Sequence, residues 1–143
     1  MKIKKLSTQK ELQDGYEVFC HCMYQPTAEK YQKKITEWME EKNIIVYTAM
    51  EENKIKGMVV FRLCQNDTAE IIGIAVHPTY RLQGIGSALI KQVAKEYGIE
   101  KIVAETDDDA VLFYQKSGFD IQKTERQFLG EKAVRYTCTL TAK

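Results

Sequence analysis

At 143 residues the chain has about one domain's length, and such a domain buries roughly 68–70% of its unfolded surface. Its 21 Lys+Arg against 20 Asp+Glu, a net charge of +1, argue against a domain that grips nucleic acid mainly by charge. Hydrophobic residues at 44% and charged ones at 29% exclude disorder, and no apolar run approaches the ~20 residues of a membrane helix. Met1-Lys2-Ile3-Lys4-Lys5 begins basic but leads into no apolar segment, so a soluble, cytoplasmic protein without membrane partner is expected.

Lys2 to Leu6 reads as a first strand, followed by a helix running to about Met23, with Thr8 and Glu11 spaced for a capping box. Pro26-Thr27 interrupts it. A second helix over Ala28 to Glu41 carries Tyr31, Ile35, Trp38 and Met39 on one face. Ile44 to Thr48 is β-branched and aromatic, and Ile55 to Cys64 is the return strand of a hairpin. Asn66-Asp67 turns the chain into a fourth strand, Ala69 to Val76. Gly73 inside that strand points to a bulge or to close approach of another chain.

A loop from His77 to Gln83 leads to a helix over Gly84 to Tyr97, with Ile85, Leu89, Val93 and Tyr97 in one stripe. Gly98 stops it. Lys101 to Ala104 is a buried-type strand, and Asp107 to Ser117 a helix with an acidic first turn. Phe119 to Ile121 and Ala133 to Leu140 complete the strands, around a polar segment from Thr124 to Lys132. The order βααβββαβαββ describes one α/β domain with a mixed sheet, in which strands 4 and 5 are parallel.

Cys20, Cys22, Cys64 and Cys138 fit neither a C-x-x-C pair nor zinc spacing, so reduced structural thiols and no metal are expected. The stretch from Ile74 to Ser87 is more informative. A strand ends, a loop turns, and Gly84 and Gly86 open an amphipathic helix. The first turn of a helix offers unpaired N–H groups and a positive dipole end, which suits an anion. The two glycines allow a phosphate to approach the backbone, and Arg81 can bind phosphate or brace the loop. The Walker run Gly-x4-Gly-Lys-Ser/Thr is absent. The dinucleotide fingerprint fails because Leu89 replaces its third glycine and seven residues separate Val76 from Gly84.

Arg81-x-x-Gly84-x-Gly86, led in by Val76-x-Pro78 and Tyr80-Arg81, resembles the R/Q-x-x-G-x-G/A signature of the GNAT superfamily of N-acetyltransferases. A second block, Glu105-Thr106-Asp107…Ala110…Phe113-Tyr114-Gln115-Lys116-Ser117-Gly118-Phe119, is similar to the family's downstream segment ending F-Y-x-x-x-G-F. The element order agrees from residue 2 to 140. The resemblance implies the GNAT acyl-CoA N-acyltransferase fold, with strands 4 and 5 splayed apart.

It also implies a reaction. Acetyl-CoA would be co-substrate, its pantetheine arm pairing with Ile74, Ala75 and Val76. Its pyrophosphate would lie on the amides of Leu82, Gln83, Gly84, Ile85, Gly86 and Ser87, near Arg81. An amine, on a small molecule or peptide, would attack the thioester directly. Tyr114 matches the position that commonly protonates the departing thiolate, and a phenol is a neutral donor at pH 7. With Ala110, Phe113 and Ser117 it also fits a packing stripe. A base is required because ammonium ions are not nucleophiles; Glu70 and Glu105 are the candidates. Asp107 stands where the family often has Asn near the cofactor, though Asp107-Asp108-Asp109 also serves as a helix N-terminal acidic run. His77 reads as a loop residue.

Two alternatives remain at this point: a non-catalytic acyl-CoA-binding regulatory module of the same fold, and an unrelated phosphate-binding scaffold. The sequence does not name the acceptor, and a homodimer is compatible with it.

Overall fold

The computed structural model describes residues 1–128 and 130–141, with side chains for all of these except 126–128 and 131–133. Seven strands form one sheet in the order β1-β2-β3-β4-β5-β7-β6. They are β1 (Lys2–Leu6), β2 (Ile44–Glu51), β3 (Lys54–Leu63), β4 (Thr68–Val76), β5 (Lys101–Thr106), β6 (Asp120–Phe128) and β7 (Glu131–Thr141). Every neighbouring pair is antiparallel except β4 and β5. The helices are α1 (Gln9–Asp14), α2 (Tyr16–Phe19), α3 (Ala28–Glu40), α4 (Ile85–Tyr97) and α5 (Val111–Lys116).

Strand alternation sends side chains to two cores. Ile45, Tyr47, Val59 and Phe61 meet Leu89, Ile90 and Val93 of α4 on one face, where Tyr114 of α5 also packs. Val46, Met58 and Val60 meet Leu12, Phe19, Ile35 and Trp38 of α1–α3 on the other. Burying both faces explains why β2, β3 and β4 read as near-continuous apolar runs rather than as clean alternation.

Several boundaries differ from the sequence reading. The first helix breaks at Gly15, where a Cβ would stand 2.6 Å from Met58 Sδ and 2.9 Å from Tyr31 Oη. Close packing on β3 and α3, rather than any missing periodicity, divides α1 from α2. The capping box is present, with Thr8 and Glu11 exchanging bonds. A 3-10 turn, Cys20–Cys22, follows α2. Met39, expected on the buried face of α3, is exposed. Cys64, expected in an apolar strand, is exposed just past β3, whereas Cys138 is buried as expected.

The last hairpin differs most. Of the segment Thr124 to Lys132, read as a polar connection, residues 124–128 lie in β6 and 131–132 in β7, while 129 lies outside the described residues. β6 is an edge strand, paired on one side only, and edge strands tolerate charged residues on exposed positions. No apolar alternation marks them. Helix α5 starts at Val111 rather than Asp107. The preceding residues form a turn in which Asp107 Oδ1 accepts the amides of Asp109 at 3.0 Å and Ala110 at 3.3 Å.

Candidate active site

β4 and β5 stay together for only three register pairs, Thr68↔Lys101, Ala69↔Ile102 and Glu70↔Val103. Beyond them β4 follows β3 and β5 follows β7, so the two strands part. The cause lies in β4 itself. Val60 pairs with Gly73 and Phe61 with Ile71, leaving Ile72 as the extra residue of a bulge. A bulge bends its strand and raises its local twist. Gly73 is also a point of close approach, since a Cβ there would stand 2.5 Å from Phe19 Cζ. The bulge suggested by that glycine is present, and what approaches it is a side-chain ring of the same chain. From the bulge to Val76, the side of β4 away from β3 carries no paired strand among the described residues.

That unpaired edge leads into the helix-opening loop. Arg81 Nε donates to the Val76 carbonyl at 3.1 Å, so its guanidinium braces the loop against the end of β4. Leu82 is held left-handed at φ 66° with its side chain 97% exposed. Gly84, at φ 77°, is the residue before α4, which begins one position later than the sequence suggests. Among the described residues no side chain caps this helix, and the first intrahelical amide bond is from Ala88 to the Gly84 carbonyl at 3.0 Å. The amides of Ile85, Gly86 and Ser87 are therefore the orphan donors of the first turn.

The two glycines answer different needs. Gly84 requires its left-handed backbone, and a Cβ on it would meet nothing within 4 Å. Gly86 is buried, and a Cβ on it would stand 2.7 Å from Phe113 Cε1. Its smallness admits the Phe113 ring between α4 and α5.

Tyr114 is 5% exposed, with Phe113 and Phe119 at ring-centroid distances of 5.1 and 5.2 Å. Its hydroxyl makes no hydrogen bond among the described residues. Burial raises its pKa well above the ordinary value, with smaller contributions from Cys138 and Cys22.

Glu70 and Glu105 share the sheet face of α1–α3, because each alternates with a residue of the opposite core, Ala69 and Ala104. Tyr114 comes from the other face. Glu70 sits at the closed end of the split and accepts from Arg62 Nη1 at 2.9 Å; Arg62 also pairs with Glu41 at 3.5 Å. Glu105 lies beyond the split on β5, within the strand rather than at its end, and pairs with Arg135 Nε at 3.3 Å. Asp107 is occupied by its turn, and Asp108 accepts from the Tyr136 hydroxyl at 2.6 Å. His77 Nδ1 accepts from the Thr79 amide at 3.2 Å, while His21 packs edge-on against its ring.

A diverging parallel pair beside an uncapped, Gly-opened helix is the arrangement that the motif resemblance implied. The Acetyltransferase (GNAT) family model matches residues 12–119. The chain belongs to the GNAT acetyltransferase family. It is 31% identical over 88 residues to the uncharacterised N-acetyltransferase YvbK of Bacillus subtilis, covering 57% of each chain. To the uncharacterised ycf52-like N-acetyltransferase of Prochlorococcus marinus it is 32% identical over 75 residues, 48% of this chain and 42% of that one. The matched stretch thus spans about half the length of these curated relatives.

Solved GNAT folds superpose over nearly the whole chain. The ribosomal-protein-S18-alanine N-acetyltransferase of Escherichia coli aligns with a TM-score of 0.77 at 19% identity, over 99% of this chain and 94% of that one. An aminoglycoside 6'-N-acetyltransferase complexed with coenzyme A aligns with a TM-score of 0.81 at 15% identity, over 99% and 97%. At these identities the likeness establishes the GNAT fold.

Sequence reasoning missed three participants. Arg62, the partner of Glu70, is eight positions away and meets it only across the β3–β4 hairpin. Phe113 stood in the quoted motif, but its contact with Gly86 joins two helices and leaves no periodic trace. Cys22, read only as a structural thiol, lies against Gly73 at the split.

Proposed function

We propose that the chain, as one catalytic domain, transfers an acetyl group from acetyl-CoA to an amine by direct attack in a ternary complex. The observation that carries this reading is the free edge of β4 running straight into the orphan amides of α4. An extended amide-bearing arm can pair with the first, and a diphosphate can lie on the second. In this reading Ile74, Ala75 and Val76 hold the pantetheine arm, and Leu82 to Ser87 receive the pyrophosphate. Arg81 keeps the two parts in register. Asp107, engaged by its own turn, shapes the neighbouring loop.

The chemistry follows from which face each group occupies. The acceptor amine must be neutral to attack, so a proton leaves it on the α1–α3 face, where both carboxylates stand. Glu105 is the better placed of the two, acting through a water, because it lies beyond the closed end at which Glu70 sits; each is ion-paired, Glu105 with Arg135 and Glu70 with Arg62. The amine nitrogen bonds to the thioester carbonyl carbon and the C–S bond breaks. Tyr114, approaching from the α5 face, donates its hydroxyl proton to the departing sulfur. A phenol is a neutral hydrogen-bond donor at pH 7, and burial moves this one further from ionisation.

The experiment is a calorimetric titration with acetyl-CoA and with ATP, followed by thiol release from acetyl-CoA over a panel of amines. Preference for acetyl-CoA with amine-dependent thiol release supports the reading. Binding without thiol release would reduce the chain to an acyl-CoA sensor, and equal affinity for ATP would leave only an anion site.

A further inference from the structure

Residues His77 to Arg81 turn the chain from the free edge of β4 toward the amides that open α4. A residue before proline is confined to extended backbone, and His77 obeys, at φ −55° and ψ 135°. Pro78 then enters a 3-10 turn, Pro78–Tyr80, without an N–H of its own. The two amides that follow both go to His77. Thr79 donates to its Nδ1 at 3.2 Å and Tyr80 to its carbonyl at 2.9 Å. His77 also carries the β3–β4 ladder one step past Val76, its own amide donating to the Lys56 carbonyl at 2.8 Å. One residue thus fastens the turn to the sheet, and Arg81 ties the far end of that turn back to Val76.

The half-buried imidazole is itself held from two sides. Tyr80 lies against it with ring centroids 5.6 Å apart, and Lys56 Nζ, paired with Glu51 at 3.1 Å, sits 4.3 Å from the Tyr80 ring centroid. His21, from the turn that follows α2, meets it edge-on with centroids 5.9 Å apart. A ring so held keeps Nδ1 aimed at the Thr79 amide. A ligand with two linked parts gains from the linkage only when both are seated at once, so the spacing of the two sites matters as much as either site. We infer that His77 is a positioning residue for the cofactor: through the Thr79 amide it sets the spacing between the edge that takes the arm and the amides that take the diphosphate. This rests on the acetyl-CoA reading above.

The test needs no acceptor: calorimetric titration of the full chain with CoA and with ADP, which carries a diphosphate but no arm. It compares His77→Asn, whose side-chain oxygen can accept an amide two residues on, with His77→Leu, which has no acceptor. His77→Leu should weaken CoA about five- to tenfold, the scale of one lost hydrogen bond, and His77→Asn by less than about twofold. ADP should bind all three proteins within about twofold, which also shows that the variants are folded. An unchanged CoA affinity in His77→Leu, or a loss in His77→Asn as large as in His77→Leu, would overturn the role. So would an ADP loss equal to that of CoA, which would place the effect on the amides themselves. ADP that fails to bind the wild type would overturn it too, since a spacing needs two sites. If the wild type does not bind CoA, the acetyl-CoA reading falls and this inference with it; if it does, the variants judge His77 alone.

Discussion

The ring of Phe113 rests where Gly86 has no Cβ, with Cε1 2.7 Å and Cζ 2.9 Å from that empty position. Tyr114 follows it in the chain and packs against it, ring centroids 5.1 Å apart. The first turn of α4 is therefore in direct contact with the element that carries the proposed proton donor. Ser87 and Ser117, with hydroxyls 2.7 Å apart, tie the same two helices together.

Gly86→Ala should therefore act on catalysis, and Gly84→Ala chiefly on stability. The first forces a methyl into a filled contact, at a cost of about 1–3 kcal/mol. The second places Ala in open space but at φ 77°, costing about 1–2 kcal/mol. Thermal denaturation should show a loss for both. Thiol release at saturating acetyl-CoA should fall by at least about tenfold only in Gly86→Ala, through displacement of Phe113 and Tyr114. Equal turnover in the two variants would uncouple the helices.

Tyr114→Phe should lower turnover by about 10²-fold or more, the usual range for a general acid, with CoA affinity held within about twofold. The same residue predicts an alkaline signature. Burial raises its folded-state pKa above the ordinary 10.0, so the folded chain keeps a proton that the unfolded chain releases. Its contribution to stability is complete below about pH 10 and is lost as the pH climbs above it. Denaturant titrations between pH 9 and 11 should show a shallower loss in Tyr114→Phe. Identical slopes would mean that the phenol is not desolvated.

At acid pH the corresponding group is Glu11. Hydrogen bonds from the Ser7 amide, Lys4 and the Thr8 amide lower its pKa from 4.5 to about 2. The unfolded chain binds the proton first, so the contribution is present above about pH 4.5 and lost as the pH falls toward 2. Glu11→Gln should flatten the acid limb of the stability curve while leaving acetyl-CoA binding unchanged. An unaltered acid limb would show that the capping box does not persist in solution.

The two carboxylates at the split are distinguished by the kinetics of their amide variants. Glu105→Gln should reduce kcat/KM about 10²-fold. Glu70→Gln frees Arg62 from one of its two carboxylate partners and should chiefly raise KM. The reverse pattern would move the base to the closed end of the split.

Much of this was legible in the chain, and the remainder was not for physical reasons. Gly73 announced the bulge, because a strand tolerates glycine poorly unless the backbone or a neighbour requires it. The Gly84 turn and the stripe of α4 were equally plain, since both depend on local geometry and one period. The limits of β6 were hidden because an edge strand need not bury either face. Gly15 hid the break between α1 and α2, which arises from Met58 and Tyr31 in distant elements. At the site, the residue types were readable but their partners were not. Arg62 beside Glu70, Phe113 over Gly86 and Cys22 against Gly73 are all tertiary pairings.

The central claim is that a diphosphate lies on the opening turn of α4 while an extended arm completes β4. Backbone amide chemical shifts, followed during titration with CoA, test it residue by residue. The account predicts the largest changes at Ile74, Ala75 and Val76 and from Leu82 to Ser87, with β1 and β6 unmoved. Saturable binding whose shifts gather elsewhere, leaving those two stretches undisturbed, would contradict it.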